Sequence, residues 1–395
     1  TRDAFRLFAR GTGNINPLYQ DEEYTAKTRW GGLIAHPLFP LTYLRGEAAY
    51  GGGFPGVHGT YASGVWYFYR PLRLGDRIVG KESLWDQRLV PSRHAGKMVD
   101  QVHYDVTVDA ERGEVVTAEY YLIKRWERQA AQERQAAEKP DAKSSERSYA
   151  GWKRWVFTKE ELQKIRDDYA SIEIRGAQPR YWEDVSVGDK VPSLIVGPYT
   201  GREIVAFYMG AGAPYVMANA VLFNFFRERS GANVPDAETH TPDVPERTHF
   251  ETELAKRVGA PDMYDVTHPR IAWGVSMVTN WMGDDAMLRE LSSTAWKFNC
   301  YGDVLWISGQ VTEKYQKGEE NLVTIALVWD NQRYRVGWGR AVVSLPARER
   351  GPIVLPPLPR DPSGEPFTPL TDEVREVLYS KDPGLPFGSG FSRKE

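Results

Sequence analysis

Residues 2–39 read RDAFRLFARGTGNINPLYQDEEYTAKTRWGGLIAHPLF, and the reading of this stretch decides the rest. Phe5, Leu7, Phe8 and Ala9 give residues 3–10 the spacing of a short amphipathic helix, which stops at Gly11-Thr12-Gly13. A polar turn follows, Asn14-Ile15-Asn16-Pro17-Leu18-Tyr19-Gln20-Asp21, and residues 21–28 read as a second short helix. Gly32-Leu33-Ile34-Ala35-His36-Pro37 is a loop. It launches a buried helix expected to run to about residue 49 and to end at Gly51-Gly52-Gly53, because proline is tolerated in a first turn where its missing N–H has no partner.

Beyond the glycines the period changes. Residues 58–71, 76–90, 97–109 and 114–125 are rich in Val, Tyr, Trp and Thr with partial alternation, which predicts strands. One buried helix followed by long antiparallel strands is the order of a hotdog fold, an α+β arrangement in which the sheet wraps the helix. The pattern then recurs. Arg202 to Gly212 echoes Arg2 to Gly13, Gly259-Ala260-Pro261 to His268-Pro269 echoes Gly31 to His36-Pro37, and Tyr301-Gly302-Asp303 echoes Leu74-Gly75-Asp76. Two copies of one unit predict a double hotdog. The expected organisation is a first repeat at 1–125, a linker and helix at 126–180, a second repeat at 181–345, and an extended Pro/Gly-rich tail at 346–395. Residues 126–148, almost free of large apolar side chains, read as a solvated helix or, more readily, a flexible linker, and residues 213–248 are an expansion that the first repeat lacks.

The polar turn and the loop after it resemble the signature of the MaoC-like, (R)-specific enoyl-CoA hydratases. There Asp-x-Asn-Pro-(Ile/Leu)-His-x-Asp precedes a loop ending Ile-Ala-His-Gly, and Asn14 to Asp21 and Gly32 to Pro37 match these. The resemblance covers residues 1–125 and 181–345, and two-repeat relatives include the FAS1-like dehydratase type. It implies a lyase of fatty acid metabolism: a hydratase, or in reverse a dehydratase, interconverting 2-enoyl-CoA and 3-hydroxyacyl-CoA. The acyl-CoA thioester would be the substrate, and no cofactor is implied beyond its coenzyme A. In that family the leading Asp and the His are the acid/base pair, and this chain has Asn14 and Tyr19 in their places. Neither a carboxamide nor a phenol with a pKa of about 10 can shuttle a proton near neutral pH as those groups do. The first-repeat site, Asn14, Asn16, Tyr19 and His36, is therefore expected to be degenerate, with the working site in the second repeat.

There His249 stands at the position of the family's histidine, although a histidine capping a helix is the structural alternative. The spacing leaves its carboxylate partner open among Asp243, Glu246 and a residue from elsewhere; Glu246, about one helical turn before His249, ranks first. Asp284 is the other candidate. With Asp285 it follows the carboxyl end of the second buried helix, where the helix dipole disfavours a negative charge by roughly 0.3–1 kcal/mol, though a polar turn after Gly283 explains both equally well. His268, Trp273 and Asn280 on that helix are expected to contact substrate, with amides near His268 polarising the thioester carbonyl.

Composition narrows the alternatives. A net charge of -3 and a pI near 6.2 provide no field for nucleic acid. No apolar run approaches the roughly 20 residues of a membrane span, and one cysteine, Cys300, suits a reducing cytoplasm. Seven histidines lie scattered without ligand spacing, so no metal is expected. P-loop and Gly-x-Ser-x-Gly motifs are missing. A monomer or a homodimer is expected. The alternatives to the hydratase are a hydratase or lyase for an unusual aromatic or cyclic substrate, a hotdog thioesterase, and a non-catalytic acyl-CoA-binding protein.

Overall fold

The β-branched and aromatic runs of the first half form β1 (Val57–Phe68), β2 (Ile78–Ser92), β3 (Gly96–Asp109) and β4 (Val115–Glu127). Those of the second half form β5 (Lys190–Val196), β6 (Met287–Ala295), β7 (Leu305–Lys317), β8 (Glu320–Asn331) and β9 (Arg335–Ser344). The computed structural model describes residues 1–44, 56–137, 149, 151–212, 217–360, 371–386 and 388. All these strands belong to one antiparallel sheet in the order β2-β3-β4-β1-β6-β9-β8-β7-β5, so each half contributes a contiguous block. The blocks meet where β1 pairs with β6, from Ser63 opposite Thr294 to Tyr67 opposite Glu290.

The helices are α1 (Arg2–Gly11), α2 (Glu22–Thr25), α3 (Arg128–Ala137), α4 (Lys159–Ala170), α5 (Gly201–Gly210), α6 (Asn219–Glu228), α7 (Thr252–Arg257), α8 (Thr267–Met282) and α9 (Asp372–Leu378). The echoed segments α1 and α5 pack on each other. A Cβ built on Gly11 would stand 2.6 Å from the Ala206 carbonyl oxygen, and one on Gly210 2.6 Å from that of Leu7. Only a bare Cα on both sides permits so close a crossing. The second buried helix is α8, with every residue from Pro269 to Met282 buried. Gly274 admits the Trp329 ring against it, and one apolar core runs through both halves of the molecule.

Three expectations are revised. The helix foreseen from Pro37 appears as a 3-10 turn, Phe39–Thr42, while the rest of it, residues 45–49, and its glycine stop fall outside the described residues. Of the segment at 126–148, Arg128–Ala137 is helical, in keeping with its good helix formers Ala, Gln, Glu and Arg, and 138–148 fall outside the described residues. The tail is not wholly extended. Thr371 caps α9, whose Val374, Val377 and Leu378 form an apolar stripe packed on Val102, Tyr104, Tyr120 and Leu122 of the first-half sheet. Among the described residues no helix is long and apolar enough to cross a membrane.

Candidate active site

Residues Pro245–His249 form a short 3-10 helix entered from Val244. Three residues per turn place Glu246 and His249 on one side of it, and both line a cavity of about 180 Å³. The walls come from both halves. His58, Tyr61, Asp105 and Glu119 belong to β1, β3 and β4; Phe225, Ala232 and Val244 belong to the expansion; Val266, Thr267 and His268 are the start of α8. The expansion is tied to the 3-10 turn by Arg247, 8% exposed, which donates to both carboxylate oxygens of Glu251 at 2.8 and 2.7 Å and to Asp236 at 3.1 Å.

His249 Nδ1 lies 2.9 Å from the Tyr264 carbonyl oxygen. A carbonyl only accepts, so Nδ1 carries the proton and Nε2 keeps its lone pair. Burial pushes the imidazole pKa down to about 4, against the smaller upward pull of that carbonyl, so the ring is neutral near pH 7. The Glu246 carboxyl moves the other way, up to about 7, chiefly through burial and further through Asp243, while its own backbone amide opposes the rise. His268 is held at about 4 by burial and by the neighbouring His249. No side chain caps the amino end of α8, and its first turn, Thr267 and His268, borders the cavity. A neutral base, a carboxyl that is half protonated at neutrality and a helix amino terminus thus face one space. Such a set can take a proton from water, supply one to carbon and hold negative charge on an oxygen.

The structure separates Asp284 from this group. His268 is at the start of α8 and Asp284 lies just past its end, about 20 Å of helix away at 1.5 Å per residue. Asp284 instead accepts from the Tyr24 hydroxyl, while its backbone carbonyl accepts from Trp30 Nε1 at 2.9 Å. Trp273 and Asn280 also turn away from the cavity. Trp273 Nε1 donates to the Thr12 carbonyl at 3.1 Å, and Asn280 Oδ1 accepts from Asn16 at 3.4 Å. Both are buttresses of the first polar turn rather than cavity residues.

That turn grips α8. Asn14 Nδ2 donates to Ser276 Oγ at 2.7 Å, and Asn16 Oδ1 caps its own 3-10 turn through the Leu18 amide. Tyr19 is 1% exposed, and burial raises its phenol pKa, so it stays protonated. His36 packs against the Tyr19 and Phe8 rings, and burial lowers its pKa to about 3. In place of an acid/base pair the first turn has amides and a phenol that join the two halves.

Sequence reading missed the contribution of the first-half sheet. His58, Tyr61 and Glu119 face the cavity from β1 and β4. A signal existed at Glu119, a charged residue inside the otherwise apolar or neutral run Val115 to Ile123. Among the described residues no group of three or more His, Cys, Asp or Glu side chains is placed to hold a metal ion.

Comparisons with known proteins agree with this architecture. The family model described as the FAS1-like dehydratase domain region matches residues 1–119. A 3-hydroxybutyryl-CoA dehydratase of Methylorubrum extorquens is 31% identical over 106 residues, which are 26% of this chain and 65%, just under two thirds, of that relative. Among solved structures, a MaoC-like dehydratase superposes with a TM-score of 0.58 at 17% identity, over 87% of this chain and 93% of its own. A Mycobacterium tuberculosis protein described as having a double hotdog fold gives 0.51 at 11% identity, over 87% of this chain and 91% of its own. At these identities the structural likenesses establish the fold, a double hotdog.

Proposed function

We propose that this chain, which is similar to FAS1-like and MaoC-like dehydratases, catalyses reversible addition of water across the double bond of a 2-enoyl-CoA, giving a 3-hydroxyacyl-CoA. The observation that carries this reading is the pairing of Glu246 and His249 on one 3-10 turn, facing a cavity at the amino end of α8. In hydration, His249 Nε2 takes a proton from water as its oxygen bonds to Cβ of the enoyl group. The electron pair of the double bond moves toward the thioester carbonyl, whose developing negative charge is met by the amides of the first α8 turn. Pro269 has no N–H, so Thr267 and His268 supply those donors. The Glu246 carboxyl then gives its proton to Cα. Return of the proton from His249 to Glu246 resets the site, and dehydration retraces each step. The reaction needs no group beyond the coenzyme A of its substrate.

Hydration of a panel of 2-enoyl-CoA esters, short, branched and aryl, tests the reading through loss of the conjugated thioester absorbance. His249→Ala is expected to lower kcat by about 100-fold or more, the scale of a lost acid/base group. Activity indifferent to that substitution would remove His249 from the chemistry. Release of free coenzyme A without loss of the enoyl system would point to a thioesterase instead.

A further inference from the structure

Burial falls along the first-half wall of the cavity. Tyr61 is buried and packs on the His268 ring at 5.5 Å, beside the α8 turn that meets the thioester oxygen. Toward the start of β1, Val57 and His58 are half-buried and Gly59 is exposed, so the cavity opens to solvent at that end. The register of β1 against β4 sets His58 opposite Trp126 and Val57 opposite Glu127, which brings the next residue, Arg128, to this mouth, where it lines the cavity. The Arg128 amide donates to the Gly56 carbonyl at 2.8 Å and fixes where the side chain starts. Its guanidinium is half-buried and, among the described residues, has neither an ion pair nor a hydrogen bond. Arg125 differs, because it is buried and donates to Gln101.

A half-buried guanidinium without an acid beside it is costly until an anion arrives, and its fork of N–H donors matches phosphate. Position decides which anion. The buried end of the cavity holds Asp105 and Glu119, a poor place for a carboxylate on the acyl group, whereas at the mouth a phosphate keeps much of its hydration. Distance agrees. From Ile123, opposite Tyr61, to Arg128 the chain advances about 17 Å at roughly 3.3 Å per residue. The pantetheine arm of coenzyme A has, between its sulfur and its diphosphate, about as many chain atoms as four peptide residues, a reach of about 14 Å. We propose that Arg128 anchors the diphosphate of coenzyme A at the cavity mouth, with the pantetheine arm lying along β1 and β4 and the thioester at His268. This rests on the hydratase reading of the same cavity and deepens it: Arg128 is a positioning residue that selects coenzyme A esters over thioesters without the diphosphate.

Three thioesters of one enoyl group test it: those of coenzyme A, of dephospho-coenzyme A, which lacks only the ribose phosphate, and of pantetheine, which lacks the diphosphate. The wild-type protein is expected to favour the first two over the third in kcat/KM by about tenfold or more, the scale of hydrogen bonds to a charged group, with the difference in KM rather than kcat. Arg128→Gln should bring the ratio of coenzyme A to pantetheine ester near one, and Arg128→Lys, which keeps the charge but not the fork, should retain part of it. Added salt should raise KM for the coenzyme A ester in the wild type and much less in Arg128→Gln. A wild-type ratio near one, a ratio that survives Arg128→Gln, or a preference already lost with the dephospho ester overturns the proposal. Misfolding of the glutamine variant would lower all three esters alike, and the ratio in Arg128→Lys then carries the test. Calorimetric binding of the saturated butanoyl esters of coenzyme A and pantetheine separates the anchor from the hydratase reading. If no enoyl ester turns over but butanoyl-CoA binds about tenfold tighter and loses that advantage in Arg128→Gln, hydration fails and the anchor stands. Equal binding of the two ligands to the wild type sinks the anchor.

Discussion

His249 and Glu246 have exchanged the protonation habits of free side chains. The histidine loses its proton near pH 4 and the glutamic acid keeps its own to about pH 7. Burial drives both, because it disfavours whichever form is charged: imidazolium in one case, carboxylate in the other. In hydration the neutral fraction of His249 grows as pH rises through about 4, and the protonated fraction of Glu246 falls as pH rises through about 7. Activity is therefore expected to plateau between these values, with an acid limb near 4 and an alkaline limb near 7. Dehydration starts from the tautomer with the proton on His249, which has the same proton count, so both directions share the window. Glu246→Gln should lower kcat by about 100-fold and abolish the alkaline limb, since a carboxamide gives no proton. The kcat/KM–pH profile of the two proteins decides this. An alkaline limb that persists in the variant would assign the titration near 7 to another group.

At the scale of elements, what the sequence made legible was whatever depends on neighbours in the chain. Strand runs such as Val115 to Ile123 announce themselves by β-branched and aromatic content, and Thr158 with Glu161 forms the capping box that their spacing foretells. The echo of Arg2–Gly11 in Gly201–Gly210 proves to be a physical contact between α1 and α5, with Gly11 and Gly210 at the crossing. Gly210→Leu would drive a side chain into the Leu7 carbonyl and is expected to cost more than the roughly 1–3 kcal/mol of ordinary overpacking, because backbone must move on both helices. Urea denaturation measures this; a midpoint close to wild type would show that the crossing can open freely. Illegible were relations set by length and by crossing between halves. Spacing alone could not show that α8 holds Asp284 far from His249, nor that Glu119, on a strand of one half, faces a turn of the other. The α9 helix was hidden for another reason: Thr371 to Leu378 is short and lies between proline-rich stretches, so composition outweighed its apolar stripe.

Across the whole molecule the two repeats share so much that neither has a complete boundary of its own. Their sheets join at β1 and β6, and the apolar core extends from Phe8 and Trp66 to Trp329 without division. The first polar turn, which carries Asn14, Asn16 and Tyr19, holds α8 of the other half through Asn14 to Ser276, Asn16 to Asn280 and, just before the turn, Trp273 to the Thr12 carbonyl. The cavity in turn takes Glu246, His249 and the start of α8 from the second half and His58, Tyr61, Asp105 and Glu119 from the first. Removing either half would expose an apolar face of α8 or of the sheet, leave buried amides without partners and open the cavity to water, which weakens every electrostatic effect within it. Such coupling predicts one cooperative unfolding transition for the repeats rather than two. In calorimetry the measured enthalpy should equal the van't Hoff enthalpy, and fluorescence of the tryptophans should report the same midpoint as far-ultraviolet circular dichroism. Two resolved transitions would mean that the halves fold independently and that the β1–β6 seam and the Asn14–Ser276 contact contribute little.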